Sequence, residues 1–409
     1  MGTLPILMMQ LCETTATMIE ARHFVEAARE RGFSWYAGVP CSYLTPFINY
    51  VQQDPSLHYV SMSNEGDAVA LCAGVALGGS ARGVAMMQNS GLGNAVSPLT
   101  SLTWTFRLPQ LLIVSWRGQP GVADEPQHAL MGPITSALLE LMEIPWELFP
   151  SQPQDIAPAL DRAVRYMEES GRPYALIMPK GVVAGFALTP TAPSPQPPAR
   201  PGALSMDASP AAPSVRPSRQ QALTEVLAHT RAAGTVVLAS TGFCGRELYA
   251  LEDRPSHFYM VGSMGCVTSL ALGLALSRPD LRVIALDGDG AALMRMGNFA
   301  TIGAYAPPNL WHLLMDNGAH DSTGGQATVS SRISFAGIAA ACGYAAALQT
   351  SELTQIGAWL EAPPRDGPQF ACLLTRPGAP TDLPRPAVTP VAVRERLARH
   401  LAGGARASL

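Results

Sequence analysis

Charge is scarce in this chain of 409 residues: Asp, Glu, Lys and Arg together make up 14%, against the ~25% of an ordinary soluble domain. Lysine is almost missing. Lys180 is the sole one, and every other basic side chain apart from the histidines is arginine. With 27 basic and 31 acidic residues the net charge is −4, which excludes the basic footprint of a nucleic-acid binder. The seven cysteines are scattered and form no CxxC pair, so neither a disulfide framework nor a zinc site is supported. No stretch reaches the ~18 uninterrupted apolar residues of a membrane span. The opening MGTLPILMMQLC lacks the basic flank and small-residue cleavage site of a secretory signal. A soluble, cytoplasmic protein with no membrane or nucleic-acid partner is the expectation.

Apolar residues, by contrast, make up 47%, enough for sizeable cores, and the length suits two or three domains. Proline concentrates between Thr189 and Pro217, where nine prolines interleave with Ala and Ser. Such a segment builds no core and is expected to run extended over the surface; a signalling-type proline motif is the alternative reading. Regular structure is expected to resume at Ser218, where S-R-Q-Q has the form of a capping box. The expected division is therefore 1–188, a linker over 189–217, and 218–385, followed by a helix and tail over 386–409. That last helix opens at Thr389-Pro390 and places Val393, Leu397 and Leu401 on one face.

Both halves alternate short apolar runs with helical stretches, the pattern of parallel α/β sheets. Strands are predicted at FSWYAGVP, HYVSMSN, GVAMMQN, QLLIVSW and YALIMP in the first half. The second half offers TVVLAST, FYMVGS, RVIALDGD, LWHLLMDN, AAALQT and FACLLTR. Most are continuous apolar runs, so helices should cover both sheet faces. Three strand–turn–helix units recur in the same order in the two halves: YVSMSNEGDAVALCAGVALGG with YMVGSMGCVTSLALGLALSRP, GVAMMQNSGLGNAVSPL with RVIALDGDGAALMRMGNF, and LPQLLIVSWRGQPG with PNLWHLLMDNGAHD. They read as two diverged copies of one α/β unit.

In open α/β sheets chemistry sits where strands end. After RVIAL come Asp287, Gly288, Asp289 and Gly290, then a helix start. Glycines admit a ligand close to the backbone and the helix N-terminus favours anions. An Asp in such a place makes sense when a cation lies between it and a phosphate, as Mg²⁺ would. A spacer of 26 residues separates Gly290 from Asn317, at the end of the next apolar run; an Asn amide oxygen and a following carbonyl are hard oxygen ligands of the kind Mg²⁺ takes. This pairing of GDG and Asn resembles the binding signature of thiamine diphosphate (ThDP) enzymes. The resemblance implies Asp289, Asn317 and the Ala319 carbonyl as Mg²⁺ ligands, with Gly288 and Gly290 in the cofactor turn. The family's usual Asn-Asn is Asp-Asn here.

The resemblance implies further parts. Glu65, in SNEGDAVALCAG, stands where these enzymes carry the glutamate that hydrogen-bonds the pyrimidine and activates the cofactor; taken alone, it reads as a helix-start acid favoured by the dipole. In VGSMGCVTSLALG the Gly262 carbonyl would receive the 4′-amino group and Met264 would wedge between the cofactor rings, although a core methionine is the plain alternative. The implied fold is a pair of doubly wound parallel-sheet α/β domains, pyrimidine-binding then diphosphate-binding, joined by the Pro-rich linker. A homo-oligomer with active sites between subunits is expected with it.

With only a linker between the halves, the chain resembles the compact ThDP-dependent phosphonopyruvate and sulfopyruvate decarboxylases. GVPCSYLTPFI, SWRGQPGVADEPQHALMG, TGFCGRELY and DNGAHDSTGGQ lie closer to the former. The implied substrate is a 2-keto acid bearing a phosphonate, in phosphonate biosynthesis. Ser42, Arg117 and Arg246, with the turn amides near Gly91, are candidate acid-group ligands, since arginine offers bidentate geometry to oxyanions; Lys180 remains an open possibility. His128 and His320 are the candidate proton donors. His23, His58, His229, His257, His312 and His400 read as structural, and Cys41 as a small turn residue. Sulfopyruvate decarboxylation, another keto-acid decarboxylase or synthase activity, and a non-catalytic ThDP-binding sensor are the competing readings. Glu65 argues against the last.

Overall fold

The structure, a computed structural model, describes residues 18–189, 202–207 and 211–406. The N-terminal stretch and most of the proline-dense segment discussed above lie outside these residues. Two sheets carry the chain. The first contains β1 (Phe33–Gly38), β2 (His58–Ser61), β3 (Arg82–Gln88), β4 (Leu111–Ser115), β5 (Trp146–Leu148) and β6 (Tyr174–Met178), in the order β2-β1-β3-β4-β6-β5. The second half contributes β7 (Ala203–Met206), β8 (Thr235–Ala239), β9 (His257–Tyr259), β10 (Arg282–Gly288) and β11 (Leu310–Asp316). A short hairpin follows, β12 (Ala319–His320) with β13 (Gln326–Ala327), and then β14 (Ala346–Thr350) and β15 (Gln369–Leu374). The second sheet runs β7-β14-β15-β11-β10-β8-β9.

Setting β7 aside, and counting strands from the start of each half, both sheets have the order 2-1-3-4-6-5 with parallel pairing throughout. A shared strand order is what duplication of one unit leaves behind, as the three recurring segments imply. Besides the short hairpin β12–β13, two strands escaped the sequence reading. β5 is three residues long with no fully buried position. β7 lies inside the stretch expected to be linker, yet it pairs in parallel with β14 and forms the sheet edge. All four of its residues are exposed, so backbone pairing alone holds it and it carries no burial pattern to read.

The two sheets meet through two helices. Helix Glu65–Gly78 lies on the first sheet and helix Val267–Ser277 on the second, and both are buried nearly all round, as helices sandwiched between apolar layers must be. Their crossing is held close by glycine. A Cβ at Gly74 would stand 2.1 Å from the Leu270 carbonyl oxygen, and one at Gly273 would stand 2.0 Å from that of Leu71. Residues 71 and 74 relate to 270 and 273 by one constant offset, so the contact is reciprocal. A single hydrophobic core consequently runs through the inner layers of both halves, while a separate cluster fills the outer face of the first sheet under helices Ala21–Arg29, Thr45–Gln53 and Pro153–Ser170. The terminal helix Pro390–Arg406 buries Val393, Leu397 and Leu401 in the shared core. Its Arg394 donates to the Phe106 carbonyl of the first half, and its Arg396 pairs with Asp253 of the second. Among the described residues no helix is long and apolar enough to cross a membrane.

Because the crossing leaves no room for even one methyl group, Gly74→Ala is expected to lower stability by about 1–3 kcal/mol through overpacking. Gly93→Ala, at a helix position with open space around it, serves as the control and is expected to leave stability equal or slightly higher. Denaturant unfolding of the two variants checks the contrast.

Candidate active site

The cleft of interest opens at the carboxyl end of the second sheet. It is lined by the turn after β8 (residues 240–244), the turn after β10 (residues 287–291), the segment after β11 from Asn317 to Ser322, and Met264. Gly290 begins the helix after β10, and a Cβ there would fall 2.4 Å from the His320 ring and 3.2 Å from the Met264 methyl. The imidazole and the thioether therefore close directly over the turn, and a Cβ at position 290 would push both aside.

Asp289 is buried at the head of this turn and accepts a hydrogen bond from the Thr328 hydroxyl. Burial, with Asp316 adding like charge, raises its pKa above the ordinary carboxyl value. Bringing a cation to it would offset that cost. Asn317 shares the cleft: its Oδ1 accepts from the Ala319 N–H (3.0 Å) and its amide donates to Asp321 (2.7 Å). Among the described residues there is no cluster of three or more His, Cys, Asp or Glu side chains able to hold a metal. The candidate ligands are one carboxylate, one amide and one carbonyl. That oxygen set is too sparse to cage a metal alone, and it suits a Mg²⁺ ion whose shell is completed by phosphates and water.

One cation in the cleft was not anticipated. Arg219 lines it, donating to Glu247 (2.9 Å) and to Asp321 (3.3 Å), with Glu247 only 2% exposed. Burial raises the Glu247 pKa and the Arg219 charge opposes that rise. A signal was present in the sequence: an arginine in the first turn of the capping-box helix Arg219–Ala228 opposes the helix dipole, so some acidic partner has to hold it there.

The other candidates divide by location. Glu65 heads helix Glu65–Gly78, half-buried, with its Oε2 accepting from Asn94 (2.8 Å). Behind it, Arg295 from the second half bonds to Asn64 and lies 3.9 Å from Asp67. Glu65 does not line the cleft in the same chain. Gly262 packs against Ser101, and the neighbouring Ser263 hydroxyl lies 2.8 Å from that of Ser101, so first-half residues shape the turn that presents Met264. Ser42 is exposed beyond β1. Cys41 lies beside Gln88 and Ser115, each at 3.5 Å. His128 is 4% exposed in the first half, outside the cleft, and its Nδ1 lacks a partner.

Two of the expected acid-group ligands are already engaged. Arg117 forms a bidentate pair with Asp124 and stacks on Tyr43 at 5.1 Å. That pairing holds the Asp124 carboxyl well below the usual range. Arg246 donates to the Leu383 and Pro384 carbonyls and stacks on Phe243, which fastens the segment leading into the terminal helix. Neither guanidinium is free in this arrangement. The sole lysine, Lys180, is exposed just past β6, at the carboxyl end of the first sheet.

Comparison with known proteins assigns the class. A family model described as the thiamine pyrophosphate enzyme C-terminal TPP binding domain matches residues 241–370, and one for the N-terminal TPP binding domain matches residues 18–138. The chain belongs to the thiamine pyrophosphate enzyme family, thiamine pyrophosphate being another name for ThDP. Within that class it is 45% identical over 380 residues to the phosphonopyruvate decarboxylase of Streptomyces viridochromogenes, covering 93% of this chain and 94% of that one. It is 44% identical over 380 residues to the phosphonopyruvate decarboxylase of Streptomyces hygroscopicus, covering 93% of each. The sulfopyruvate decarboxylase of Methanosarcina acetivorans is more distant, 30% identical over 330 residues with 78% and 81% covered. The crystal structure of benzoylformate decarboxylase from Polynucleobacter necessarius superposes with a TM-score of 0.68 at 13% identity, over 88% of this chain and 99% of that one. At that identity the likeness speaks for the fold.

Arg219→Ala leaves Glu247 and Asp321 without their cation and is expected to cost about 3 kcal/mol, as for breaking a largely buried pair. The deficit has a defined sign with pH. Glu247 already titrates above its ordinary 4.5, and losing Arg219 raises it further. The variant's deficit is therefore small below about pH 4.5, where the carboxyl is neutral folded and unfolded, and grows as pH rises. Thermal unfolding between pH 4 and pH 8 checks this.

Proposed function

We propose that this chain is a Mg²⁺- and ThDP-dependent decarboxylase that converts 3-phosphonopyruvate to phosphonoacetaldehyde and CO₂. The observation that carries the reading is the cleft at the end of β10 and β11. There a buried carboxylate, an Asn amide and a carbonyl share one surface, in a chain 45% identical to a phosphonopyruvate decarboxylase. Asp289, Asn317 and the Ala319 carbonyl would hold the Mg²⁺, and the turn amides around Gly288 and Gly290 would meet the diphosphate. Met264 and the Gly262 carbonyl position the cofactor rings. Bound ThDP supplies a carbon nucleophile and accepts the electron pair released as CO₂ departs.

Glu65 would hydrogen-bond the pyrimidine nitrogen and hold a proton there. Since Glu65 does not line the cleft of its own chain, it serves the cleft of a second copy, and the working form is a homo-oligomer with sites between subunits. The carbon that loses CO₂ then takes up one proton. The proximity of His320 to Gly290 supports it as the group that would manage that transfer, and the burial of His128 outside the cleft favours His320 over it. For the acid group, the engagement of Arg117 with Asp124 and of Arg246 with backbone carbonyls argues for Ser42, the residue 88–91 turn and Lys180 at the carboxyl end of the first sheet. A fixed arginine clamp is the weaker alternative.

Aldehyde release from phosphonopyruvate, sulfopyruvate and pyruvate, each with and without ThDP and Mg²⁺, tests the substrate. Phosphonopyruvate is expected to be preferred, and activity without ThDP would overturn the reading. Glu65→Gln is expected to abolish turnover while ThDP affinity stays within about tenfold, or ~1.4 kcal/mol; a variant that turns over normally removes Glu65 from the mechanism. Asp289→Ala is expected to lose Mg²⁺-dependent ThDP binding, measured by calorimetry on the apoprotein. Unchanged binding would exclude it as a metal ligand.

A further inference from the structure

Beneath the β10 turn lies a polar chain that the mechanism above leaves unused. Asp287 is the residue before Gly288, and its Oδ1 accepts from the Gly288 N–H (2.9 Å). Among the described residues its buried Oδ2 has no hydrogen-bond partner, and neither has Nε2 of His312 on the adjacent strand β11. These two orphaned atoms face each other at 3.7 Å, and each residue is 1% exposed. On the far side of the ring, His312 Nδ1 lies 3.4 Å from the Tyr344 hydroxyl, and Tyr344 is fully buried. Phe299 and Phe370 pack on the imidazole with centroids at 5.2 and 5.0 Å, leaving it in an apolar cage.

Two buried polar atoms without partners call for an explanation. One tautomer aligns the whole chain without any net charge on the ring, with the 3.7 Å step between Nε2 and Oδ2 a dipole-to-carboxylate contact longer than a hydrogen bond. The Tyr344 O–H donates to Nδ1, the proton sits on Nε2, and Nε2–H points at Asp287 Oδ2. In so apolar a surrounding a carboxylate oxygen left without a donor is costly, and His312 Nε2 stands opposite it at 3.7 Å. The carboxylate so held keeps its other oxygen on the Gly288 amide, at the start of the turn that contains Asp289. Asp287 itself lines the cleft.

We propose that His312, read from sequence as merely structural, is a positioning residue for the cofactor turn: through Asp287 it fixes the Gly288 amide and the path of the backbone into Asp289 and Gly290. Tyr344 sets the tautomer. The ring touches neither cofactor nor substrate and acts only through Asp287. This inference rests on the reading of the cleft as the ThDP–Mg²⁺ site.

Calorimetric titration of ThDP into apoprotein in Mg²⁺ tests it, starting with the unsubstituted protein; no binding there overturns both readings at once. Given binding, His312→Leu is expected to weaken it by about tenfold or more, the scale of lost support behind a metal site. The turnover number at saturating cofactor should fall by less than the affinity does. Asp287→Asn should weaken binding as well, and the double variant should be no weaker than the worse single. Additive losses would show two independent effects and overturn the coupling. A His312→Leu protein with a lower melting temperature and unchanged cofactor affinity would mean packing alone and also overturn it. If His312→Leu does not fold, Tyr344→Phe, which removes one hydroxyl, carries the test. Weaker ThDP binding supports the relay, and unchanged affinity refutes it.

Discussion

The reciprocal contact between Gly74 and Leu270, and between Gly273 and Leu71, is the constraint on which the rest depends. Two helices that touch backbone to backbone bring two sheets together through one shared core, and no side chain at the crossing adds a spacer. Glu65 begins one of these helices and Met264 lies just ahead of the other, so fixing their crossing fixes the relation between the two sets of strand ends. Polar ties at the rim lock that relation: Ser269 donates to the buried Asp67, and Arg295 reaches across to Asn64. Buried polar pairs of this kind define register better than they add stability.

A second theme is how a chain so poor in charge uses the charge it has. Arg219, Arg117 and Arg254 are each committed to carboxylates that are buried or partly so. Arg246 and Arg282 are committed to backbone carbonyls and to aromatic faces. Guanidinium suits these roles because its planar fork can satisfy several acceptors while stacking. At the cleft the result is a net of acids, Asp287, Asp289, Asp316 and Asp321, with Arg219 as its cation. A further cation would ease the repulsion among these carboxylates, and Asp289, Asn317 and the Ala319 carbonyl offer oxygen donors of the kind Mg²⁺ takes.

Much of this was legible in the sequence. The eleven apolar runs taken as strands all contain strands, and the GDG-to-Asn pairing located the cleft, because glycine turns and hard oxygen ligands leave a local pattern. The repeat of three strand–turn–helix units foreshadowed the common strand order. What stayed hidden lacked such a pattern. β7 is held by backbone pairing with no buried side chain, and β5 is too short to show a period. Arg219 was visible only as an odd residue in a capped helix. Arg117 and Arg246 were expected near substrate because arginine suits oxyanions, and their engagement with Asp124 and with the Leu383 and Pro384 carbonyls was not legible from local spacing.

Local chemistry, then, was determined by the sequence alone: which segments are strands, which turns can approach a phosphate, and which family the motifs belong to. Those properties depend on residues a few positions apart. Tertiary structure decided who partners whom. That Glu65 lies away from the cleft of its own chain, that His312 faces Asp287 from the neighbouring strand, and that two glycines touch across the centre all depend on residues 20 to 200 positions apart. Their proximity is set by sheet order and helix crossing, and no local spacing encodes it.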